Sequence, residues 1–185
     1  MIGLKRGTVK LNSNSSGWSR AFAAEKNRIL KASRGIILNI QHIGSTAVKG
    51  LLAKPIIDMT AGVHSMHEAK KLIEPLASLG YRFYKKFGAQ ILFAKGPDEK
   101  RTHYLHVMKY NGHKWRRDLR FRDYLRTHPA RLKQYAQLKR KLASLYPKER
   151  EKYTAGKDEF IKQTIEFARA EARSIKNMKT RKTAG

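Results

Sequence analysis

Residues 42–58 read His-Ile-Gly-Ser-Thr-Ala-Val-Lys-Gly-Leu-Leu-Ala-Lys-Pro-Ile-Ile-Asp, and this stretch decides the fold. An apolar, β-branched run ends at Ile43 and predicts a buried strand, and Gly44-Ser45-Thr46 then suits a sharp turn that begins a helix. A second apolar run, residues 55–57, predicts the next strand, which carries Asp58. Because consecutive strands are often neighbours in a sheet, we expect Asp58 to lie close to the turn.

The turn and the carboxylate together have the chemistry of a phosphate site. Backbone N–H groups that lack partners at the start of a helix bind anions. A carboxylate on a buried strand is costly unless it is paired, hydrogen-bonded or bound to a metal ion. Phosphate donors at Gly44 and Ser45 and an anionic oxygen at Asp58 would suit a nucleoside triphosphate that binds with Mg²⁺.

The same residues carry a resemblance to a known family. The stretch resembles the signature of the GrpB family, whose members belong to the nucleotidyltransferase-like superfamily. The resemblance continues at residues 102–107 (Thr-His-Tyr-Leu-His-Val), 119–126 (Leu-Arg-Phe-Arg-Asp-Tyr-Leu-Arg) and 153–157 (Tyr-Thr-Ala-Gly-Lys). It covers roughly residues 18–167 of the chain.

This resemblance implies an α/β (α+β) fold: a nucleotidyltransferase-like mixed sheet flanked by helices, with a helical C-terminal lobe. We expect one domain over residues 18–174, with a sheet lobe at about 18–112 and a helical lobe at about 113–174. Polar residues 1–17 predict a flexible lead-in, and residues 175–185 predict a frayed basic tail.

The resemblance also assigns candidate roles in binding and catalysis. The residues implied for the nucleotide are Gly44, Ser45, Thr46, Lys54, Arg122 and Lys157, and those implied for Mg²⁺ and catalysis are Asp58 and His106. Alternation along residues 102–109 places His106 on one face of a strand and His103 on the other. The alternative is that His106 is a hydrogen-bonded structural histidine and that Arg122 and Lys157 are ordinary helix-surface cations.

One position keeps two functions open. The wider superfamily has a second acid two residues after the first, and this chain has Thr60 there. The first hypothesis is a nucleotide-binding protein that transfers a nucleotidyl group to an acceptor. The second is a non-catalytic module that binds nucleotides, RNA or another polyanion.

Composition limits the class of protein. A chain of 185 residues with 41% hydrophobic content can bury one core, and it has no apolar run long enough to span a bilayer. No apolar leader occurs near the N-terminus, so we expect no secretory signal. The absence of cysteine excludes disulfides and thiolate metal sites, and it fits a cytoplasmic location.

The charge is strongly positive. Lysine and arginine number 41 against 14 acidic residues, which gives a net charge of +27. Such a field attracts polyanions, including nucleic acid and nucleotides. The alternative is that these charges are solvated and serve no dedicated site.

Periodicity predicts the remaining elements. Apolar spacing predicts helices over residues 18–31 and 66–79, a hairpin around Gly88-Ala89, and a strand over residues 102–109. Further helices begin near Trp115 and break at Pro129 and Pro147. The chain lacks the P-loop and dinucleotide-binding motifs, and its histidines are too scattered for a zinc site.

Overall fold

The computed structural model describes residues 2–13 and 16–183. Its strands are β1 (Ile37–Ile43), β2 (Ile57–Val63), β3 (Tyr81–Phe87), β4 (Gln90–Lys95) and β5 (His103–Lys109). Its α-helices are α1 (Ser16–Ala32), α2 (Ile73–Ala77), α3 (His113–Thr127), α4 (Pro129–Leu145), α5 (Arg150–Ala155) and α6 (Asp158–Thr183). Short 3-10 helices cover Ser45–Ala47, Glu68–Leu72 and Asp98–Lys100.

The strands form one mixed sheet of five strands in the order β1-β2-β5-β4-β3. Only β2 and β5 run parallel among these pairs, and the other neighbours are antiparallel. The predicted hairpin is present between β3 and β4, where Gly88 has a φ of +48°. The sequence prediction of a mixed sheet flanked by helices is confirmed.

Alternation along the two central strands separates a core face from a site face. Ile57, Met59 and Ala61 of β2, with Leu105 and Val107 of β5, are fully buried in the main core against α1. The intervening residues of β2 and β5 point to the opposite face, and the register pairs Asp58 with Tyr104 and Thr60 with His106. Asp58 and His106 therefore share a face, and His103 lies on the opposite face from His106, as the alternation predicted.

The helical lobe covers the site face of the sheet. Gly62 lies on this face, and a Cβ there would lie 2.7 Å from the ring of Tyr110 and 3.1 Å from Trp115 of α3. A glycine at this position therefore lets the start of α3 approach the sheet. A second core holds α3 and α4 against the loop after β1, with Val48, Leu51, Leu125 and Tyr135 buried at its centre.

The N-terminal segment differs from the predicted flexible lead-in. Backbone bonds join Leu4 to Arg101 in both directions (3.0 and 2.9 Å) and Asn12 to Ala53 in both directions (2.8 and 3.0 Å). The Val9 N–H donates to the carbonyl of Pro147 at 2.8 Å, and the Val9 side chain is buried. Polar composition does not reveal such backbone pairing. Met1, Asn14 and Ser15, also assigned to the lead-in, lie outside the described residues.

Two C-terminal or helical segments also differ in the structure from their predictions. The single helix expected over residues 66–79 is a 3-10 helix followed by α2, because Pro75 lacks an N–H and fits only the first turn of an α-helix. Helix α6 continues to Thr183, through most of the predicted basic tail. Ile175 and Met178 are exposed there, which agrees with the absence of an apolar face packed on the core. Residues 184 and 185 lie outside the described part.

A search of the described residues found no helix with the length and apolar character needed to cross a membrane.

Candidate functional site

The turn after β1 brings its glycine against Asp58. Ile43 pairs with Asp58 across β1 and β2, and Gly44 follows with a φ of 69° and a ψ of −168°. A Cβ on Gly44 would lie 3.1 Å from Oδ2 of Asp58 and 3.2 Å from its Cβ. The predicted proximity of the turn and the carboxylate is therefore present in the structure. The turn continues into only three residues of 3-10 helix, Ser45–Ala47, so it offers local N–H groups and little helix dipole.

Hydrogen bonds on the core side hold the turn in place. His42 Nε2 and the Thr46 hydroxyl are 2.9 Å apart, and the His42 ring stacks on Phe22 with centroids 4.7 Å apart. Burial lowers the pKa of His42 to about 4, so the ring is neutral at neutral pH. Thr46 is itself buried, so its hydroxyl serves the turn and only its backbone remains for the predicted nucleotide contact.

His106 is the nearest partner of the Asp58 carboxylate. Its Nε2 lies 4.0 Å from Oδ1 of Asp58, and the side chains are 21% and 35% exposed. Nδ1 of His106 is buried and has no hydrogen-bond partner among the described residues. Thr60, which stands where the superfamily has a second acid, is fully buried and donates its hydroxyl to the His106 carbonyl at 3.3 Å. Its hydroxyl therefore stabilises the strand pair.

The surroundings keep Asp58 ionised. Burial alone would raise the pKa of Asp58, but His106 and the cations of Lys54 and Arg150 outweigh burial and hold the pKa below its usual value. An anionic oxygen is therefore present at the turn at neutral pH.

Two lysines from different parts of the chain share one aromatic ring beside this carboxylate. The ammonium of Lys157 lies 4.5 Å from the centroid of Tyr153, and that of Lys54 lies 5.3 Å from the same ring. Burial lowers the pKa of Lys157 to about 8 and that of Lys54 to about 7, while the Asp58 charge acts on both in the opposite sense. The structure thus brings both predicted lysines to Asp58.

Lys139 of α4 is a third lysine in the same environment. It is 2% exposed, and its ammonium donates to the carbonyl of Leu52 and lies 5.6 Å from the ring of Tyr135. Burial lowers the pKa of Lys139 far below its ordinary value, and the charges of Lys157 and Lys54 lower it further. This lysine was not predicted. The sequence feature that could have identified Lys139 is its position on an apolar helical face, since positions 135, 139 and 142 lie on one buried face of α4.

Arg150 is the other basic residue that sequence reasoning missed. Its guanidinium lies 5.1 Å from the ring centroid of Tyr104, the strand partner of Asp58. Its Nη1 is buried and has no hydrogen-bond partner among the described residues. The sequence feature that could have identified Arg150 is its spacing from Tyr153 and Lys157. The intervals between these three positions are each about one helical turn, although Lys157 itself follows the end of α5.

Arg122 occupies a different environment from the one predicted. It is 8% exposed and donates to Gln41 Oε1 at 3.1 Å and to the His42 carbonyl at 2.9 Å. Nε and Nη2 donate to the carboxylate of Asp123 at 2.7 and 3.0 Å. The two bonds to Gln41 and His42 join α3 to β1, and the four bonds together leave one of the five guanidinium N–H groups for any other partner. The phosphate contact of Arg122 stays a prediction, and this arrangement does not favour it.

The donor set fits one Mg²⁺ ion that shares phosphate oxygens, and it does not fit a metal cage built by the protein. No group of three His, Cys, Asp or Glu side chains within residues 2–13 and 16–183 could hold a metal ion. Mg²⁺ often binds through one or two carboxylates, water and substrate phosphates, and it prefers oxygen ligands. Asp58 can supply one such oxygen, whereas an imidazole nitrogen is a poorer ligand, so the metal role predicted for His106 is the less favourable one.

A family profile described as GrpB protein matches residues 8–166. The chain belongs to the GrpB family. It is 37% identical over 171 residues to the "Glutamate-rich protein GrpB" of Alkalihalophilus pseudofirmus, covering 89% of this chain and 98% of that relative. It is 42% identical over 161 residues to a UPF0157 protein of Pseudomonas aeruginosa, covering 84% of this chain and 66% of the relative.

A solved GrpB structure shares the fold. The crystal structure of GrpB from Enterococcus faecalis matches with a TM-score of 0.81 and 32% identity, over 88% of this chain and 99% of that chain. The family resemblance drawn from the sequence is therefore confirmed. A structure of the Cid1 poly(U) polymerase matches weakly, with a TM-score of 0.43 and 13% identity, and carries no argument about this GrpB-family chain.

Replacement of Gly44 by alanine should damage both the turn and the site. Gly44 and Gly50 both have positive φ angles, 69° and 79°, but nothing lies within 4 Å of a Cβ at Gly50. Gly50→Ala should therefore lose only about 1 kcal/mol of unfolding free energy, from backbone strain. Gly44→Ala should lose about 2 kcal/mol or more, because the added methyl group presses on Asp58. Urea unfolding measures both losses, and equal losses would contradict the close approach at Gly44.

Proposed function

We propose that this GrpB-family protein is nucleotidyltransferase-like and binds a nucleoside triphosphate with Mg²⁺ beside Asp58. The observation that carries the proposal is that Lys54 and Lys157 lie over the ring of Tyr153 and Arg150 lies over that of Tyr104, the strand partner of the Asp58 that packs against the Gly44 turn. The negative phosphate oxygens of a nucleotide would be attracted by these cations. A metal ion bound to both Asp58 and the phosphate chain would fix one end of that chain.

The sheet and the helical lobe would contribute different groups to the site. The sheet side offers the Asp58 oxygen and the backbone of Ser45, and the helical side offers ammonium and guanidinium groups. Mg²⁺ would supply Lewis-acid stabilisation to phosphate oxygens when bound. His106, within 4.0 Å of Asp58, would orient that carboxylate and hold its charge.

A second candidate function is binding of a nucleotide, RNA or another polyanion without catalysis. The buried Thr60 favours it, because two-metal nucleotidyl transfer uses more than one carboxylate and Thr60 is committed to the His106 carbonyl. Transfer of a nucleotidyl group to an acceptor is therefore the less supported part of the proposal. A screen of nucleoside triphosphates with and without Mg²⁺ by thermal shift tests binding first, since a site-specific ligand raises the unfolding temperature with its occupancy.

Asp58→Asn should remove the Mg²⁺ dependence of nucleotide binding and leave the fold intact. The substitution keeps the shape of the side chain and removes the anionic oxygen that the metal would bind. The measurement is the affinity for ATP with Mg²⁺ and with EDTA. Asp118→Asn is the matched control, because Asp118 pairs only with Lys114 on its own helix among the ion pairs of the described residues. If Mg²⁺ strengthens binding equally in wild type and Asp58→Asn, the metal does not bind at Asp58.

Lys157→Ala should weaken ATP binding roughly tenfold or more, which is the range of one charge-assisted hydrogen bond. Lys141→Ala removes the same charge from an exposed position of α4 and should change the affinity less than twofold. Titration calorimetry at constant ionic strength measures both variants. Equal losses would mean that the general positive field holds the ligand, and the polyanion-binding module would then be the better account.

Nucleotide affinity should fall as the pH rises from 7.5 to 9. Only the protonated lysines attract phosphate, and the lowered pKa values, about 7 for Lys54 and about 8 for Lys157, place their loss of charge in or just below this range. The expected fall is on the order of tenfold for each lysine that must take up a proton on binding. Lys157→Arg keeps its charge and should reduce the slope. An affinity that is constant or increases over this range would contradict the assignment.

A further inference from the structure

Four basic side chains of the site lack an acidic partner. We call them the cation cluster: Lys54, Lys139, Arg150 and Lys157. None of them forms an ion pair with a carboxylate among the described residues. Asp58 acts on the three lysines at longer range, and the exposed Asp158 acts on Lys157. The cluster therefore has more positive groups than nearby acids can balance.

Burial makes this imbalance costly. Lys139 is 2% exposed, and within the described residues its ammonium donates to a neutral carbonyl, that of Leu52. Arg150 has a buried Nη1 that no described acceptor satisfies. A buried cation without a partner costs several times more than an exposed one, so an incoming anion would relieve a cost that the folded protein already bears.

The positions of these groups select the shape of that anion. Lys54 and Lys157 lie over one ring, that of Tyr153, and Arg150 precedes this tyrosine by about one turn of α5. Arg150 lies over Tyr104, next to Asp58 in the strand register. These three groups, which we call the row of donors, thus extend from Tyr153 of the helical lobe to Tyr104 of the sheet, and a chain of linked phosphates has enough oxygens to contact all three. Arginine can hold phosphate oxygens in pairs, and lysine acts as a point charge.

We propose that Lys54, Arg150 and Lys157 bind a linear polyphosphate group directly, with no metal ion between them and the phosphate oxygens. Lys139, which is buried and donates to the Leu52 carbonyl, is not assigned a contact with the phosphate group. The inference rests on the proposed function, and it goes further by making this part of the binding independent of Mg²⁺. A free divalent cation would itself be repelled by the cluster, which already has an excess of positive charge.

The test uses the full chain in excess EDTA, with inorganic tripolyphosphate as the first probe. Calorimetry should show one-site binding, and Arg150→Gln should weaken it tenfold or more. Arg140→Gln is the matched control, since Arg140 is exposed on α4, and it should change the affinity less than twofold. Ionic strength is held constant, because salt screens the general field.

ATP and orthophosphate, also in EDTA, identify the source of the phosphate chain. ATP that binds at least as tightly as tripolyphosphate indicates a nucleotide, and tripolyphosphate that binds tenfold more tightly than ATP indicates an inorganic chain. Orthophosphate binding as tight as either would overturn the requirement for linked phosphates. A lowered unfolding temperature in Arg150→Gln would indicate a folding defect, and Lys157→Ala, with Lys141→Ala beside it, then provides the same comparison.

The two proposals fail separately. ATP that binds with Mg²⁺, while no probe binds in EDTA, overturns direct binding by the cation cluster and leaves the proposed function standing. Binding in EDTA that Mg²⁺ does not improve supports the cluster and contradicts the metal at Asp58. Equal losses in Arg150→Gln and Arg140→Gln would overturn the role of Arg150. No binding of any probe under either condition would overturn both proposals.

Discussion

The charge of Asp58 is the constraint on which the site depends. Asp58 projects from β2 between the turn after β1 and the helical lobe, and its pKa is held low by His106 and by nearby cations despite burial. Its negative charge in turn acts on Lys54, Lys139 and Lys157, whose ammonium groups are withdrawn from water. Removal of this one charge would leave the partly buried Lys54 and Lys157 with no acid acting on them, apart from Asp158 beside Lys157.

The loop between β1 and β2 is held by donors from the helical lobe. Arg126 of α3 donates twice to the carbonyl of Ala47, at 3.1 and 2.7 Å, and Lys139 of α4 donates to that of Leu52. The position of the Gly44 turn relative to Asp58 therefore depends on α3 and α4, and α4 also supplies Lys139 of the cation cluster. Movement of the helical lobe would change the turn and the row of donors together, which couples the shape of the site to the packing of α3 and α4.

Local patterns were sufficient for the sheet and for one side of the site. Two-residue alternation separated the face of His106 from that of His103, and a small-residue turn between two apolar strands placed Gly44 beside the Asp58 carboxylate. The other side depends on tertiary packing, which periodicity reports only as buried or exposed. Lys139 lies in an apolar helical face, and that pattern alone did not predict its place in the site. The motif residue Arg122 was predicted to contact phosphate, whereas in the structure two of its donors join α3 to β1. In a chain with 41 basic residues, composition cannot separate these cases.

Burial distinguishes the basic residues of the site from the many others. Most lysines and arginines, such as Lys141 and Arg140, lie at the surface, where water and salt reduce their interactions within about a Debye length. The cation cluster lies against the rings of Tyr104, Tyr135 and Tyr153 and is partly or fully buried, so the dielectric response there is weaker and each charge has a larger effect. The net charge of +27 can therefore raise the rate at which anions reach the protein, whereas in our proposal the few partly buried cations would select the anion that remains bound. A polyanion held by the field alone would be released by moderate salt, and a phosphate chain held in the row of donors would be much less sensitive to it.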